Sequence, residues 1–396
     1  MSSAGSLSCH LVNGTLLAIA QVTARSDRFL LLWYRDGSHR AAVERLDGSP
    51  VTRANGSLMR HWLAPGGAPG PSARQRVGSR IEFRAPRWCS LSVVPANRAR
   101  STVNALTAQA RPLLAIETVA EIRLAVARAR AMGLRVGFVP TMGALHAGHA
   151  SLLHAARREC GFVVASIFVN PKQFGPHEDY ERYPRNLDRD LGACEAAGVD
   201  AVFCPRVETV YPVGFVTTVN VGGLADLFEG ACRPGHFQGV ATVVLKLFQM
   251  VPADVAYFGQ KDYQQQALIK RMVVDLNLPI EIRVCPTVRE QDGLALSSRN
   301  VYLNAEQRRS ALALSASLAL AREELARGQR DLRFIGRQMR ALLQNTPQVV
   351  PDYATIVDPE SLEELASPLP RVVALVAARV GATRLIDNEL IEVPPT

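Results

Sequence analysis

The chain has 396 residues, 48% apolar and 20% charged, with a formal net charge of +9. That length supports two or three domains with real cores, and no apolar run approaches the roughly 20 residues needed to span a bilayer. The seven cysteines are odd in number and nowhere spaced as CxxC, which argues against a disulfide framework or a zinc site and predicts reduced thiols in a cytoplasmic protein.

The charge is divided unevenly. Residues 1–112 hold 15 Arg, no Lys and 5 acidic residues, giving +10, whereas the remainder holds 30 basic and 31 acidic residues, giving −1. The basic character therefore belongs to one end. That end also carries all three Trp and a Gly/Pro stretch, "APGGAPGPSARQRVGSR", which breaks any regular element. "LVNGTLLAIAQV" lacks a basic n-region, so no secretory signal is expected. "RFLLLWYRDG" and "SLSVVPA" read as short strands. Two readings compete for 1–112: a nucleic-acid-binding arm, or a basic extension that is poorly ordered or upstream of the true start. Arg without interleaved aromatics or an RNA motif favours the extension, so neither a nucleic acid nor a membrane is expected as a partner.

From residue 113 the pattern changes. "LLAIETVAEIRLAVARARAMG" has helical apolar spacing and ends at Gly133, leading into a strand, "RVGFVP". Then follow the helix "HASLLHAARREC", the strand "FVVASIFVN", the helix "DRDLGACEAAG" and the strand "VDAVFCP". A long helix "GVATVVLKLFQMV", the strand "DVAYFG", the helix "YQQQALIKRMVVDLN" and the strand "IEIRVCP" complete the series. Alternating helices and nearly continuous apolar strands predict an α/β, doubly wound parallel sheet over 113–289. Beyond it, helices "AEQRRSALALSASLALAREELARG" and "LRFIGRQMRALLQ" precede strands in "DYATIVD", "RVVALVAARVG" and "TRLIDNELIEV". These predict a smaller α+β domain over 290–396.

Ligands of such sheets collect beyond the carboxyl ends of strands. "PTMGALHAGH" sits there, following what reads as the domain's first strand, with His146, Gly148 and His149 at the start of a helix. Unpaired backbone N–H groups and the helix dipole favour an anion at that point. Gly143 and Gly148 permit close approach of a phosphate chain. His149, in the first turn, should stay neutral in the empty site because the dipole opposes a cation, and a bound phosphate would favour its protonation. A metal site would need a third ligand, which the spacing lacks. Packing alone leaves the glycines unexplained, although it suits His154 as a structural residue.

Two further stretches supply cations and hydroxyls suited to a polyphosphate. "FGQKDYQQQ" follows a strand and offers Lys261 and Asp262; "GLALSSRNVYL" offers Ser297, Ser298 and Arg299 on a loop. GxxxxGK[ST], GxGxxG and GxSxG are all missing. Residues alone thus reach adenylate-forming chemistry on a small acid.

In the motifs "VPTMGALHAGH", "SIFVNPKQF", "RYPR", "EGACRPGHFQGV", "FGQKDYQQ", "LALSSRN" and "RLIDN", in this order, the chain from about residue 113 resembles the pantothenate synthetase (pantoate–β-alanine ligase) family. That family lies within the HxGH nucleotidyltransferase superfamily. The HxGH motif alone, His146 to His149, would leave cytidylyltransferases and class I aminoacyl-tRNA synthetases open, and another nucleotidyltransferase is the competing enzyme class. The resemblance implies a Rossmann-like domain, a smaller C-terminal domain, a homodimer, and condensation of pantoate with β-alanine to pantothenate, AMP and pyrophosphate. The same resemblance implies ATP as co-substrate, a need for Mg2+, and a pantoyl-adenylate intermediate.

Carried over by position, the resemblance implies catalytic roles for His149 (the proton donor), His146, Lys261, Ser297, Ser298 and Arg299. It implies an ATP site of Met142, Gly143, Ala144, Leu145, His146, Ala147, Gly148, His149, Gly259, Gln260, Lys261, Asp262, Val288, Leu296, Ser297, Ser298 and Arg299. Gln173 and Gln265 match the pantoate-binding glutamines, and Gln173 is also expected beside β-alanine. Asn170, Tyr183, Arg233 and His236 match positions around the pocket, and Asp190 is placed near Mg2+. One departure stands out: the family usually reads Gly-Glu-Lys-Asp where this chain has Gly259-Gln260-Lys261-Asp262. The expectation is that Gln260 contributes only backbone.

Overall fold

The computed structural model describes residues 113–176 and 178–395 in full, together with the strands of residues 6–12, 15–24, 27–35 and 39–45. Two compact units divide the chain at Arg111/Pro112. In the first, β1 (Ser6–Val12), β2 (Thr15–Ala24), β3 (Asp27–Arg35) and β4 (His39–Arg45) form an antiparallel sheet in sequential order. β3 coincides with the strand expected in "RFLLLWYRDG"; the strand expected in "SLSVVPA" lies outside the described residues.

The second unit opens with a short strand, β5 (Leu114–Ile116), and Thr118 then caps helix α1 (Val119–Ala131). Here the structure corrects the sequence reading, which ran the helix from residue 113. Three apolar residues that fit a helical period form instead the parallel edge strand of the sheet, and Thr118 accepts the Glu121 N–H that starts the helix. β6 (Val136–Thr141), which the sequence reading took as the domain's first strand, is consequently its second.

Strands and helices then alternate: α2 (Ala147–Glu159), β7 (Phe162–Ile167), α3 (Leu187–Ala196), β8 (Ala201–Phe203) and the short α4 (Val207–Val210) and α5 (Phe228–Cys232). α6 (His236–Met250), β9 (Val255–Gly259), α7 (Tyr263–Asp275) and β10 (Glu281–Cys285) complete the layer. The six strands are ordered β10-β9-β6-β7-β8-β5, and every pairing is parallel. Alternate residues face opposite cores: Phe138, Val164 and Ala256 pack with α1, α6 and α7, whereas Val139, Val163 and Val255 pack with α2 and α3. A sheet covered on both faces explains why its strands read as unbroken apolar runs. The chain leaves β6 toward β7 on one side and returns to β9 on the other, so the strand order reverses between β6 and β9 and opens a crevice at their carboxyl ends.

The remainder is α8 (Ala305–Ala326) and α9 (Leu332–Gln344) packed on an antiparallel sheet of β11 (Val349–Val357), β12 (Arg371–Val380) and β13 (Thr383–Glu392). Leu332, Ile335, Met339 and Leu343 form the buried stripe of α9 at helical spacing. Among the described residues no helix is long and apolar enough to cross a membrane.

Candidate active site

The β6–β9 crevice holds a cavity of about 240 Å³. His146, Gly148 and His149 line it from the β6–α2 junction, Gly259, Lys261, Asp262 and Gln265 from the β9–α7 junction. Val288, Leu296, Ser297, Ser298 and Arg299 close it from the segment after β10. Met142, Asn170, Gln173, Tyr183, Arg233 and His236 complete its polar wall. Gly143, Ala144, Leu145, Ala147, Gln260 and Asp190 do not line it.

The two histidines are locked by their own helix end. His146 caps α2, its Nδ1 accepting the Gly148 N–H at 3.1 Å, and His149 Nδ1 accepts the His146 N–H at 3.3 Å. With both Nδ1 atoms acting as acceptors, the neutral rings carry their protons on Nε2. The rings lie 4.2 Å apart between centroids. Burial is the largest reason His149 is pushed down to about 3, followed by the neighbouring His146 charge. His146 is lowered by burial first and by Lys261 second. Both are therefore neutral donors near pH 7, the state anticipated for His149, with burial the largest cause. Gly148 serves this arrangement directly: a Cβ there would lie 2.8 Å from His146 Cε1.

Asp190 takes a different part from the Mg2+ neighbour expected of it. It is 2% exposed, and its two oxygens accept the N–H groups of Leu145 (2.8 Å) and Ala144 (2.9 Å). Gly143 (φ +79°) and Ala144 (φ +50°) turn the loop so that these N–H groups face the carboxylate. A Cβ on Gly143 would lie 2.8 Å from Asp190 Oδ2, so the close approach that Gly143 permits is to this carboxylate. The loop's N–H groups are thus satisfied from within, by α3. His154, expected to pack internally, is exposed on α2.

Gln173 sits in a 3-10 turn, Pro171–Gln173, 9% exposed. Its Oε1 accepts from Asn170 Nδ2 at 3.0 Å and its Nε2 lies 2.9 Å from Met142 Sδ. Asn170 Oδ1 accepts from the Tyr211 hydroxyl at 2.8 Å, and Asn170 Nδ2 also donates to Gly239 O at 3.1 Å. The turn lies so close to α6 that a Cβ on Gly239 would come 2.2 Å from Lys172 O. His236 Nε2 stands 3.0 Å from an Arg233 guanidinium nitrogen, which must donate, so Nδ1–H donates to Gln173 O at 2.8 Å. Burial, then the Arg233 charge, lowers His236 to about 4.

Opposite, Ser297 caps a 3-10 turn, Ser298–Tyr302, by accepting the Arg299 N–H at 3.2 Å. Ser298 Oγ lies 3.5 Å from the Tyr183 hydroxyl. Arg299 and Arg233 are each met by a carboxylate from the 178–179 segment, Asp179 and Glu178 respectively. Lys261 Nζ lies 3.8 Å from Asp262 Oδ1. Its loop is held from the C-terminal sheet, where Asn388 Nδ2 donates to the carbonyls of Gln260 (3.0 Å) and Lys261 (2.7 Å). Gln260 N–H donates to Cys285 O at 2.8 Å, so the main chain of Gln260 is used on both sides.

Asp179, Glu178, Gly239 and Asn388 escaped assignment from sequence. Each lies in or beside a motif quoted above, but its partner is between 55 and 128 residues away, and nothing local marks the pairing.

A family model described as Pantoate-beta-alanine ligase matches residues 114–390. The pantothenate synthetase of Moorella thermoacetica is 54% identical over 278 residues, covering 70% of this chain and 98% of that one. That of Roseiflexus castenholzii is 53% identical over 277 residues, covering 70% and 99%. Among solved structures, pantothenate synthetase from Thermus thermophilus aligns with a TM-score of 0.67 at 52% identity, covering 71% of this chain and all of that one. The pantoate-beta-alanine ligase of Francisella tularensis, complexed with beta-gamma ATP and beta-alanine, aligns with a TM-score of 0.57 at 34% identity, covering 72% and 100%.

Proposed function

This chain belongs to the pantoate–β-alanine ligase family, and we propose that its β6–β9 cavity joins pantoate to β-alanine with conversion of ATP to AMP and pyrophosphate, through a pantoyl-adenylate. The observation that carries this reading is the convergence of His146, His149, Lys261, Ser297, Ser298 and Arg299, from three separate segments, on one cavity.

In the first half-reaction a pantoate carboxylate oxygen attacks the α-phosphorus and pyrophosphate leaves. In the second, the β-alanine amine attacks the acyl carbonyl and AMP leaves. Neither half needs a protein nucleophile; both need in-line positioning and donors for growing phosphate charge. The Nε2–H groups of His146 and His149, with Lys261, Arg299 and the serine hydroxyls, supply those donors, and removing one such donor typically costs about 10²–10³ in rate. His149 is the proposed proton donor to the leaving group: neutral in the empty site, it would take up a proton when the bound phosphates favour the imidazolium, and pass it on from there. Gln173 and Gln265 offer pantoate neutral amides, which bind its oxygens without adding charge that would blunt the nucleophile. Gln173 also serves the β-alanine side, beside Arg233 and His236.

Mg2+ fits as a phosphate-borne ion. It prefers one or two carboxylates together with phosphate oxygens, and Asp262, half exposed on the cavity wall, would join it, whereas both oxygens of the buried Asp190 already accept loop N–H groups. Bound with ATP, the ion would neutralise phosphate charge.

Residues 113–289 and 290–396 are read as the nucleotide-binding and C-terminal domains of a homodimer. The free thiols of Cys160, Cys194, Cys204, Cys232 and Cys285 suit a cytoplasmic setting. The segment 1–112 is proposed to be dispensable: the family match begins at residue 114.

The test is pantoate-dependent exchange of labelled pyrophosphate into ATP without β-alanine. Exchange that requires pantoate supports the adenylate route. Full exchange in His149→Ala would remove the catalytic role assigned to that imidazole.

A further inference from the structure

A second cavity, of about 420 Å³, borders the first. Seven residues line both, among them Lys261, Ser297 and Arg299, three of the groups that the phosphates of ATP would meet. Its outer wall is formed by the 178–182 segment and by β12 and β13. The outer space therefore opens from the phosphate side of the inner one.

Its charges are unevenly matched. Glu178 is paired with Arg233, Asp179 with Arg299, Glu229 with Arg384, and Asp387 with Arg289 from behind the wall. Two arginines that line the space, Arg182 and Arg379, meet no carboxylate among the described residues, and both are exposed. Every other guanidinium on this wall is already neutralised, Arg384 by Glu229 and Asp352 together, so the positive charge left over lies with these two exposed side chains. An uncompensated pair of guanidiniums in a concave wall attracts a multiply charged anion. β-Alanine, a zwitterion, feels no net pull from it.

We propose that this outer chamber is a release site for inorganic pyrophosphate, with Arg182 and Arg379 as its anion-binding groups. The inference rests on the ligase reading, and identifies where that reaction's first product goes. In the first half-reaction a carboxylate oxygen bonds to the α-phosphorus, the α–β bridging P–O bond breaks, and its electron pair departs on pyrophosphate. To leave the site the pyrophosphate has to clear Lys261 and Arg299, and the surplus charge beyond them gives it a place to move to. Arg182 and Arg379 touch neither the inner cavity nor the reacting atoms, so they act on product binding and not on chemistry.

The experiment titrates inorganic pyrophosphate by calorimetry into the full-length protein saturated with AMP, at low ionic strength. The variants are Arg182→Gln/Arg379→Gln and the charge-keeping Arg182→Lys/Arg379→Lys. Exposed ion pairs contribute up to about fivefold each, so the Gln pair should weaken pyrophosphate binding about tenfold, while the Lys pair stays within about threefold. The KM for ATP should remain within about twofold in both, and pyrophosphate inhibition of AMP formation should weaken in parallel with binding. Pyrophosphate that fails to bind the AMP-saturated wild type, or binds the Gln pair as tightly as the wild type, overturns the proposal. Failure of the ligase reading has a separate signature: no pantoate- and β-alanine-dependent AMP formation by the wild type, whatever the titration gives.

Discussion

Asp179 and Arg299, 120 residues apart, form a two-point pair: Arg299 Nε donates to Asp179 Oδ2 at 3.1 Å and Nη2 to Oδ1 at 2.9 Å. Burial alone would raise the Asp179 carboxyl, but the hydrogen bonds and charge of Arg299 hold it below the ordinary carboxylate range. The pair fixes the plane of a guanidinium that would otherwise sweep the cavity. Asp179→Asn keeps the volume and removes the charge. We expect kcat/KM for ATP to fall about tenfold, equivalent to roughly 1.4 kcal/mol. Steady-state kinetics within twofold of wild type would remove the positioning role.

The depressed histidines predict the acid behaviour of the empty enzyme. His149 at about 3 and His236 at about 4 are neutral in the folded state far below the ordinary histidine value. Protonation therefore favours the unfolded chain. Their contribution to stability is fully present above about pH 6.5 and is lost as pH falls toward the folded-state values. Thermal unfolding followed from pH 7.5 to 4 should show stability declining across that window, less steeply in His236→Gln. Nitrogen-15 NMR of the rings should find His149 neutral with Nε2 protonated at pH 6. Imidazolium shifts at that pH would contradict both the burial argument and the tautomer.

Gln260 gives its main chain to Cys285 and Asn388, and its side chain does not reach the inner cavity wall. Gln260→Glu, which restores the residue usual in the family, should thus leave turnover within about threefold, the range of a surface charge change. A gain above tenfold would show that the side chain orients Lys261 after all.

Asp190 braces the β6–α2 loop from inside. Asp190→Ala leaves the N–H groups of Ala144 and Leu145 buried without acceptors, at a cost of about 1–3 kcal/mol each. The expected result is a lowered Tm and a raised KM for ATP with an unchanged Mg2+ requirement. A selective loss of Mg2+ affinity at wild-type Tm would restore the metal role that position first suggested.

The Asn388 contact to the Lys261 loop ties the C-terminal sheet to the phosphate side of the site. Asn388→Ala removes two hydrogen bonds to carbonyls. It should lower kcat through displacement of Lys261 while leaving pantoate affinity within twofold, since Gln173 is held from α6. Equal losses for both substrates would indicate general destabilisation.

Whatever near neighbours carry could be read from the amino-acid chain alone. Continuous apolar runs and helical spacing announced the layered α/β order, since burial on two faces leaves a local signature in each strand. Gly148 and the two histidines of "MGALHAGH" marked a ligand-facing turn because their capping demands are met within a few residues. Other assignments exist only in the folded arrangement. Leu114–Ile116 is a strand only because the edge of β8 is there to pair with it. Asp190 answers the loop's N–H groups only because α3 passes behind them, and Asp179, Glu178 and Asn388 find their partners only through the chain's path. A charge or amide carries no mark of what it will meet: its role is set by whichever group folding brings within about 3 Å, where hydrogen bonds become strong enough to orient it.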